Sequence, residues 1–320
     1  GVAVALLAAS GALDFGGEAA ERGGEPGGEG EAERAEPPEV VASIDVEGGP
    51  DGIAVGGGTV WVSLARKGAI APVDPRTNRV GEVVSTGPNP DGVAVGKSVV
   101  WVALSDGDAV QRIENADEAP VAGAPVPIGD RPEGVSLGEQ IVWVANSGSD
   151  TVSRVDRASA VEIGATGVGD KPIGVFVGEN AVWVTNNGDG TVTRLDPANS
   201  TLIGQPIRVG EGPRGVVVGG GSAWVANSGD DTVSRLDART GRPIGDPIRV
   251  GANPRDIAFG EGFVWVTSAD ARTVTRIDPE NGRVVGRPIP VGTQPLGVAV
   301  GAGAVWVANF RDDTVTRIEP

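Results

Sequence analysis

Gly212-Pro213-Arg214-Gly215-Val216-Val217-Val218-Gly219 opens a unit that recurs along the whole chain. The unit continues with Ser222-Ala223-Trp224-Val225-Ala226-Asn227, then Thr232-Val233-Ser234-Arg235-Leu236-Asp237. It closes with Arg242-Pro243-Ile244-Gly245-Asp246-Pro247-Ile248-Arg249-Val250-Gly251. Each run is short, rich in β-branched residues and bounded by Gly, Pro, Asn or Asp, which is the pattern of β-strands between tight turns. The four runs predict four strands, named A, B, C and D in chain order. Ser228-Gly229-Asp230-Asp231 between B and C has hairpin composition, and Ala238-Arg239-Thr240-Gly241 between C and D reads as another turn. No window after residue 40 sustains a 3.6-residue apolar period, so no helix is expected there.

Working outward, the tryptophan marks the repeat. Trp61, Trp101, Trp143, Trp183, Trp224, Trp265 and Trp306 follow one another at steps of 40, 42, 40, 41, 41 and 41 residues. A period of about 40 to 45 residues with four strands per unit is that of a β-propeller. The last repeat ends after its strand C, at Ile318-Glu319, and so lacks a strand D. Val40-Val41-Ala42-Ser43-Ile44-Asp45-Val46 precedes the first strand A and reads as a D strand with no repeat of its own. Residues 40–46 are therefore expected to complete the last blade and remove an open sheet edge. The expected fold is all-β: a seven-bladed β-propeller of four-stranded antiparallel blades over residues 40–320. Each Trp lies mid-strand between β-branched or small neighbours, so the seven rings read as wedges between blades and not as a binding cage.

The chain has 320 residues, a formal net charge of −17, and no Cys, His, Tyr or Met. Lacking Cys, it forms no disulfide and no thiolate metal site. Without His, Cys or Tyr, the usual general base, thiol nucleophiles and phenolic chemistry are gone, leaving only carboxylates, with or without a metal, for catalysis. A surface this acidic repels phosphate backbones, so nucleic acid is not an expected partner.

The first 14 residues, from Gly1 through Leu6-Leu7 to the charge at Asp14, read as the end of a transmembrane helix or signal segment. Residues 15–39 are rich in Gly, Glu and Pro. Seven Glu against Arg22 and Arg34 give residues 17–38 a charge of −5, the composition of a self-repelling disordered linker. An apolar stretch, a spacer and a closed ring suggest a non-catalytic extracytoplasmic domain, membrane-anchored or secreted, that binds a ligand or protein; the alternatives are a carboxylate- and metal-dependent lyase or hydrolase and a structural scaffold.

Candidate site residues come from comparing the repeats. The corner between strands D and A is a Pro-x-Gly turn in every repeat but the sixth, which has Pro254-Arg255-Asp256. The middle residue is Asp51, Asp91, Glu133, Ile173, Arg214, Arg255 and Leu296 in order. Three acids thus occupy one arc and two arginines another, around the expected channel mouth. Asp51, Asp91, Glu133, Arg214, Arg255 and Asp256 are the candidate ligand-binding residues, for a polar or zwitterionic small molecule, a glycan or a protein. No cofactor is expected, with calcium or magnesium at the acidic arc as the one alternative. Phe310 and Arg311, an aromatic and a cation at the tip of the last B–C hairpin, are the candidate partner contacts. The calcium-like loops Asn187-Gly188-Asp189-Gly190 and Asp106-Gly107-Asp108 do not complete a calcium motif and read as turns. Asn146, Asn186, Asn227 and Asn309, at one position before the hairpin, are expected to bond local backbone.

The Val-Trp-Val-Ala-Asn-Ser-Gly-Asp-Asp-Thr-Val-Ser-Arg-Leu-Asp type of repeat resembles the YVTN and virginiamycin B lyase-like propellers of bacteria, over about residues 40–320. The resemblance implies a seven-bladed ring. It also implies roles ranging from extracytoplasmic sensor domains of receptor serine/threonine kinases to secreted binding proteins and an antibiotic-linearising lyase. That lyase works with a histidine and a magnesium ion, and this chain has no histidine to take over the role. The layout of apolar stretch, spacer and ring is most similar to the kinase receptors, although these residues include no kinase signature.

Overall fold

The computed structural model describes residues 37–320. The expectations for the apolar stretch 1–14 and for most of the spacer 15–39 fall outside the described residues, except that strand begins already at Glu39. From there the chain forms seven antiparallel sheets and no helix. Blade 5, the unit quoted above, runs Pro213–Gly219, Ser222–Asn227, Thr232–Asp237 and Ile248–Arg249 as strands A to D.

The clasp forms as expected. Glu39–Asp45 pairs with Thr314–Glu319, with Glu39 opposite Glu319 and Asp45 opposite Thr314, and becomes strand D of blade 7. The N–H of Val46 then donates to the Asp313 carbonyl at 2.7 Å. The first and last stretches of the ring are thus joined by a ladder of backbone hydrogen bonds and by the burial of Ile44 and Val46.

All seven Trp are 0–1% exposed. Each sits between its own blade and the next. Trp224 and Val233 of blade 5 pack on Ile257, Val264 and Val266 of blade 6. Trp306 and Val315 of blade 7 pack on Ile53, Val60 and Val62 of blade 1. Burying an indole removes about 150–250 Å² from water, worth roughly 4–6 kcal/mol per blade. In blades 4 to 7 the Arg of the Thr-Val-Ser-Arg-type strand C stacks on that indole: Arg235 lies 4.8 Å from the Trp224 centroid and Arg317 5.4 Å from that of Trp306. The same guanidinium reaches the C–D turn of the following blade. Arg235 donates to the Glu280 carbonyl and Arg317 to that of Pro75. One residue type therefore serves as both lid and latch at successive seams.

Two details depart from the sequence reading. Strand D is mostly short, two residues in blades 4, 5 and 6, because Gly-x-Pro interrupts it and proline offers no N–H to the ladder. Blade 3 lacks that proline and has a seven-residue strand D, Val161–Gly167. The Pro-x-Gly element is also not a turn: its proline is the first residue of strand A in all seven blades. The corner itself lies one residue earlier, at Gly49, Asn89, Arg131, Lys171, Gly212, Asn253 and Gln294, which all adopt positive φ.

Candidate ligand site in the channel

The middle residue of Pro-x-Gly lies inside a β-bulge. Strand A pairs with strand B at the proline, loses register over the next two residues, and resumes at Ile53, Val135, Val216 and their equivalents. A bulge re-aims a side chain, and here it turns one side chain per blade toward the ring axis. Hydroxyls on strand B hold the geometry. Thr185 accepts from the Gly174 N–H at 2.8 Å and donates to the Arg214 carbonyl of the next blade at 2.5 Å. Thr267 does the same between Asp256 and the Leu296 carbonyl. The adjacent glycine is required by crowding. A methyl group at Gly52 would overlap the Asp91 carbonyl oxygen, and one at Gly297 would lie 2.6 Å from that of Asp51. The second contact also shows that the ring closes from blade 7 to blade 1.

The result is a cavity of about 170 Å³ lined by Asp51, Asp91, Glu133, Ile173, Arg214, Arg255, Asp256 and Leu296 with their glycines. All six residues named as ligand candidates come together on its wall. Going round, three acids (blades 1–3) are separated from two arginines (blades 5 and 6) by Ile173 on one side and Leu296 on the other. Both spacers are buried. Among the described residues no ring arginine comes within 4.0 Å of a carboxylate, for the five ion pairs present all lie elsewhere. Buried Nε of Arg214 has no acceptor.

Crowding and burial shift the titrations. Burial pushes Asp51 up to about 6; Glu133 and Asp256 add to the effect, and Arg255 and Arg214 oppose it. Asp91 is held well above the usual carboxylate range by burial and by the charges of Asp51 and Glu133, against a hydrogen bond from Ser105 and the pull of Arg255. Ser105 Oγ is 3.4 Å from Asp91 Oδ2 and is already spent on the Pro132 carbonyl at 2.7 Å. Arg214 is lowered by burial and by Arg255 beside it. Asp256 differs from the other acids. Burial pushes it up to about 6, but its two oxygens accept the N–H groups of Ile257 at 2.8 Å and Val298 at 2.9 Å. It is a strut between blades 6 and 7 that also faces the cavity.

Among the described residues no three acidic side chains converge on a point that could hold a metal ion. The acids of the arc line one wall of the cavity. No chemical step is assigned to a metal here.

The hairpin candidates lie apart from the cavity. Phe310 is half-buried beneath the Arg66 guanidinium of blade 1, 4.8 Å from its ring centroid. Arg66 also pairs with Asp313 at 2.5 Å, and Asp313 accepts the N–H groups of Gly48 and Gly49. Phe310 therefore belongs to a seam between blades 7 and 1. Arg311 is exposed and donates from Nε to Gln294 at 2.8 Å. The asparagines depart from expectation. They are fully buried, and their Nδ2 groups donate to strand C hydroxyls, Asn227 to Thr232 and Ser234 and Asn309 to Thr314 and Thr316; Asn186 alone also bonds backbone, its Oδ1 accepting the Gly169 N–H at 3.2 Å.

Sequence reasoning missed the hairpin acids. The last residue of the B–C hairpin is Asp108, Asp150, Asp231 or Asp313 in four blades. Each carboxylate accepts an N–H from the next blade's D–A corner, namely Arg131, Lys171, Asn253 and Gly49. Blade 4 has Gly190 there, and a groove of about 620 Å³ opens at its seam with blade 5, lined by Asp189, Arg208, Glu211, Asp230 and Arg214. The signal is in the sequence, as Gly190 where four other hairpins carry Asp.

No protein-family model matches the chain, nor does any curated protein sequence. Solved structures do match in shape. A chain of the Kuenenia stuttgartiensis hydrazine synthase superposes with a TM-score of 0.76 at 18% identity, covering 88% of this chain and 97% of its own. A streptogramin B lyase gives 0.76 at 18% identity, with 87% and 96% covered. The virginiamycin B lyase of Staphylococcus aureus gives 0.76 at 15% identity, with 89% and 100% covered. At these identities the likeness is one of fold: a seven-bladed propeller like that of virginiamycin B lyase.

Proposed function

We propose that this chain is a non-catalytic binding propeller that recognises a small polar ligand in the channel mouth. The observation that carries this is the ring itself. Repeats that are otherwise near copies place acids, aliphatics and arginines in separate arcs around one cavity, with none of the opposite charges in contact. Partly buried charges left unneutralised by the fold are costly, and a ligand of complementary charge pattern would offset that cost. The chain's lack of His, Cys and Tyr supports binding over turnover. The apolar stretch and acidic spacer ahead of the ring support placement as a membrane-tethered, extracytoplasmic sensor-like domain, as does the resemblance to the bacterial propeller repeats.

A thermal-shift screen of polar metabolites and short glycans against the full chain tests this reading. The expected outcome is a ligand-dependent rise in melting temperature that Asp91→Asn and Arg214→Gln each reduce. A tight ligand whose effect persists in both variants would place binding elsewhere. Conversion of a bound compound, lost in Asp91→Asn, would replace the binding reading with an enzymatic one.

A further inference from the structure

The two charged arcs face each other across a gap that nothing in the described residues bridges. Asp51, Asp91 and Glu133 stand on one side, Arg214 and Arg255 on the other, and Ile173 and Leu296 keep the arcs apart. Both oxygens of Asp256 are taken by backbone N–H groups, so the acid arc proper is blades 1–3. A single cation would satisfy the acids and leave the arginines facing nothing. A single anion would do the reverse. The cavity, about 170 Å³, is of the size that takes a small organic molecule. That suits a compact molecule with a charge at each end and a short aliphatic middle to pass between Ile173 and Leu296.

Resting on the channel reading above, we propose that the site takes a small amino acid. Its ammonium group lies against Asp51, Asp91 and Glu133, its carboxylate lies on Arg214 and Arg255, and the acid arc gives up a proton as the ligand enters. The carboxylate end lies with Arg214 and Arg255, the two cations of the cavity wall, neither of them ion-paired among the described residues and both carrying a planar guanidinium that matches a carboxylate. The ammonium end is argued from crowding. Asp51 and Asp91 line one cavity wall, partly buried and repelling each other, so the arc holds a proton between them, their affinities for protons being raised. An arriving ammonium supplies the positive charge that the proton supplied, and the proton leaves to solvent. Every charged group facing these two acids is already named: Glu133, Arg214, Arg255 and Asp256. Binding should therefore weaken as the pH falls below about 6, where the arc refills with protons.

Calorimetry on the full chain tests this with glycine, β-alanine and γ-aminobutyrate, and with ethylamine and acetate as one-ended controls. At least one amino acid should bind about tenfold or more tightly than either control, the gain expected from engaging both ends. Titrations at pH 6 in two buffers of different ionisation enthalpy should report release of about one proton per ligand. Asp91→Asn should abolish the release and weaken binding, Asp51→Asn should repeat that loss, and Arg214→Gln should bring affinity down to that of ethylamine. Melting curves of the three variants check that the ring is intact. Equal affinity for amino acid and ethylamine, or binding without proton release, would overturn the inference. If none of these probes binds but another compound from the screen does so in an Arg214-dependent way, the channel reading stands and the amino acid inference falls. If no ligand of any kind responds to the ring variants, both fall.

Discussion

Asn227 shows how much one side chain does in a repeat. Its Nδ2 reaches Thr232 at 3.1 Å and Ser234 at 2.9 Å, tying the end of strand B to strand C where the hairpin begins. The residue is wholly buried, so removing the amide leaves two buried hydroxyls without their donor. Asn227→Ala should cost about 1–3 kcal/mol, read as a lower urea midpoint with an unchanged slope. At the same scale, Gly52→Ala should destabilise by at least as much, because the new methyl group overlaps the Asp91 carbonyl and the two blades cannot separate without breaking the ring. An unchanged midpoint for Gly52→Ala would mean that the inner strands are not packed as tightly as described.

Among the elements, the B–C hairpins offer a prediction of the opposite sign. Gly190 has φ 67°, while Asp108, Asp150, Asp231 and Asp313 adopt 46–58° at the equivalent position. An aspartate therefore fits that backbone. Gly190→Asp should add the missing latch to the D–A corner of blade 5, a gain of about 0.5–1 kcal/mol that outweighs the crowding of its Cβ 3.2 Å from the Gly210 carbonyl oxygen. Loss of stability would show that the groove between blades 4 and 5 cannot close. The clasp is the other decisive element. Ile44 is 6% exposed and pairs with Val315 in the ladder that joins the first and last strands of the ring. Ile44→Ala should cost about 2–4 kcal/mol and speed unfolding, since the ring would open where no covalent turn holds it.

At the scale of the whole molecule, the charged ring lining the cavity makes stability depend on pH in an unusual direction. Asp51 and Asp256 bind protons up to about pH 6 when folded, against 3.8 when unfolded. Asp91 shifts the same way. Between those values the folded state holds more protons than the unfolded one, so stability falls as the pH rises from about 4 to above 6 and then levels off. Asp74, Asp156, Asp237 and Asp313 are shifted downward by hydrogen bonds, and their contribution is lost only at pH below the ordinary carboxylate range. Melting temperature should therefore be higher at pH 5 than at pH 7.5, and the slope should shrink in an Asp51→Asn, Asp91→Asn double variant. A melting temperature that rises through this window would show that the cavity acids are well solvated.

Periodicity alone determined most of this architecture. A tryptophan every 40 to 42 residues and four short β-branched runs per unit allow few ways to bury the apolar faces. The count of strands at the two ends of the ring required the clasp. The ring of seven variable residues was legible as well, because near-identical repeats turn any difference at one position into a signal. Only the tertiary structure decided where those residues point and what they meet. The bulge that aims Asp51 or Arg214 inward depends on the glycine contacting the next blade, a neighbour about 40 residues away in the chain. The separation of acids from arginines, the seam that absorbs Phe310, and the asparagines' choice of hydroxyl over backbone are likewise settled across strands and blades. Local sequence sets the conformations each segment can adopt. Distances between charges and the loss of water around them arise only when seven blades close into one ring.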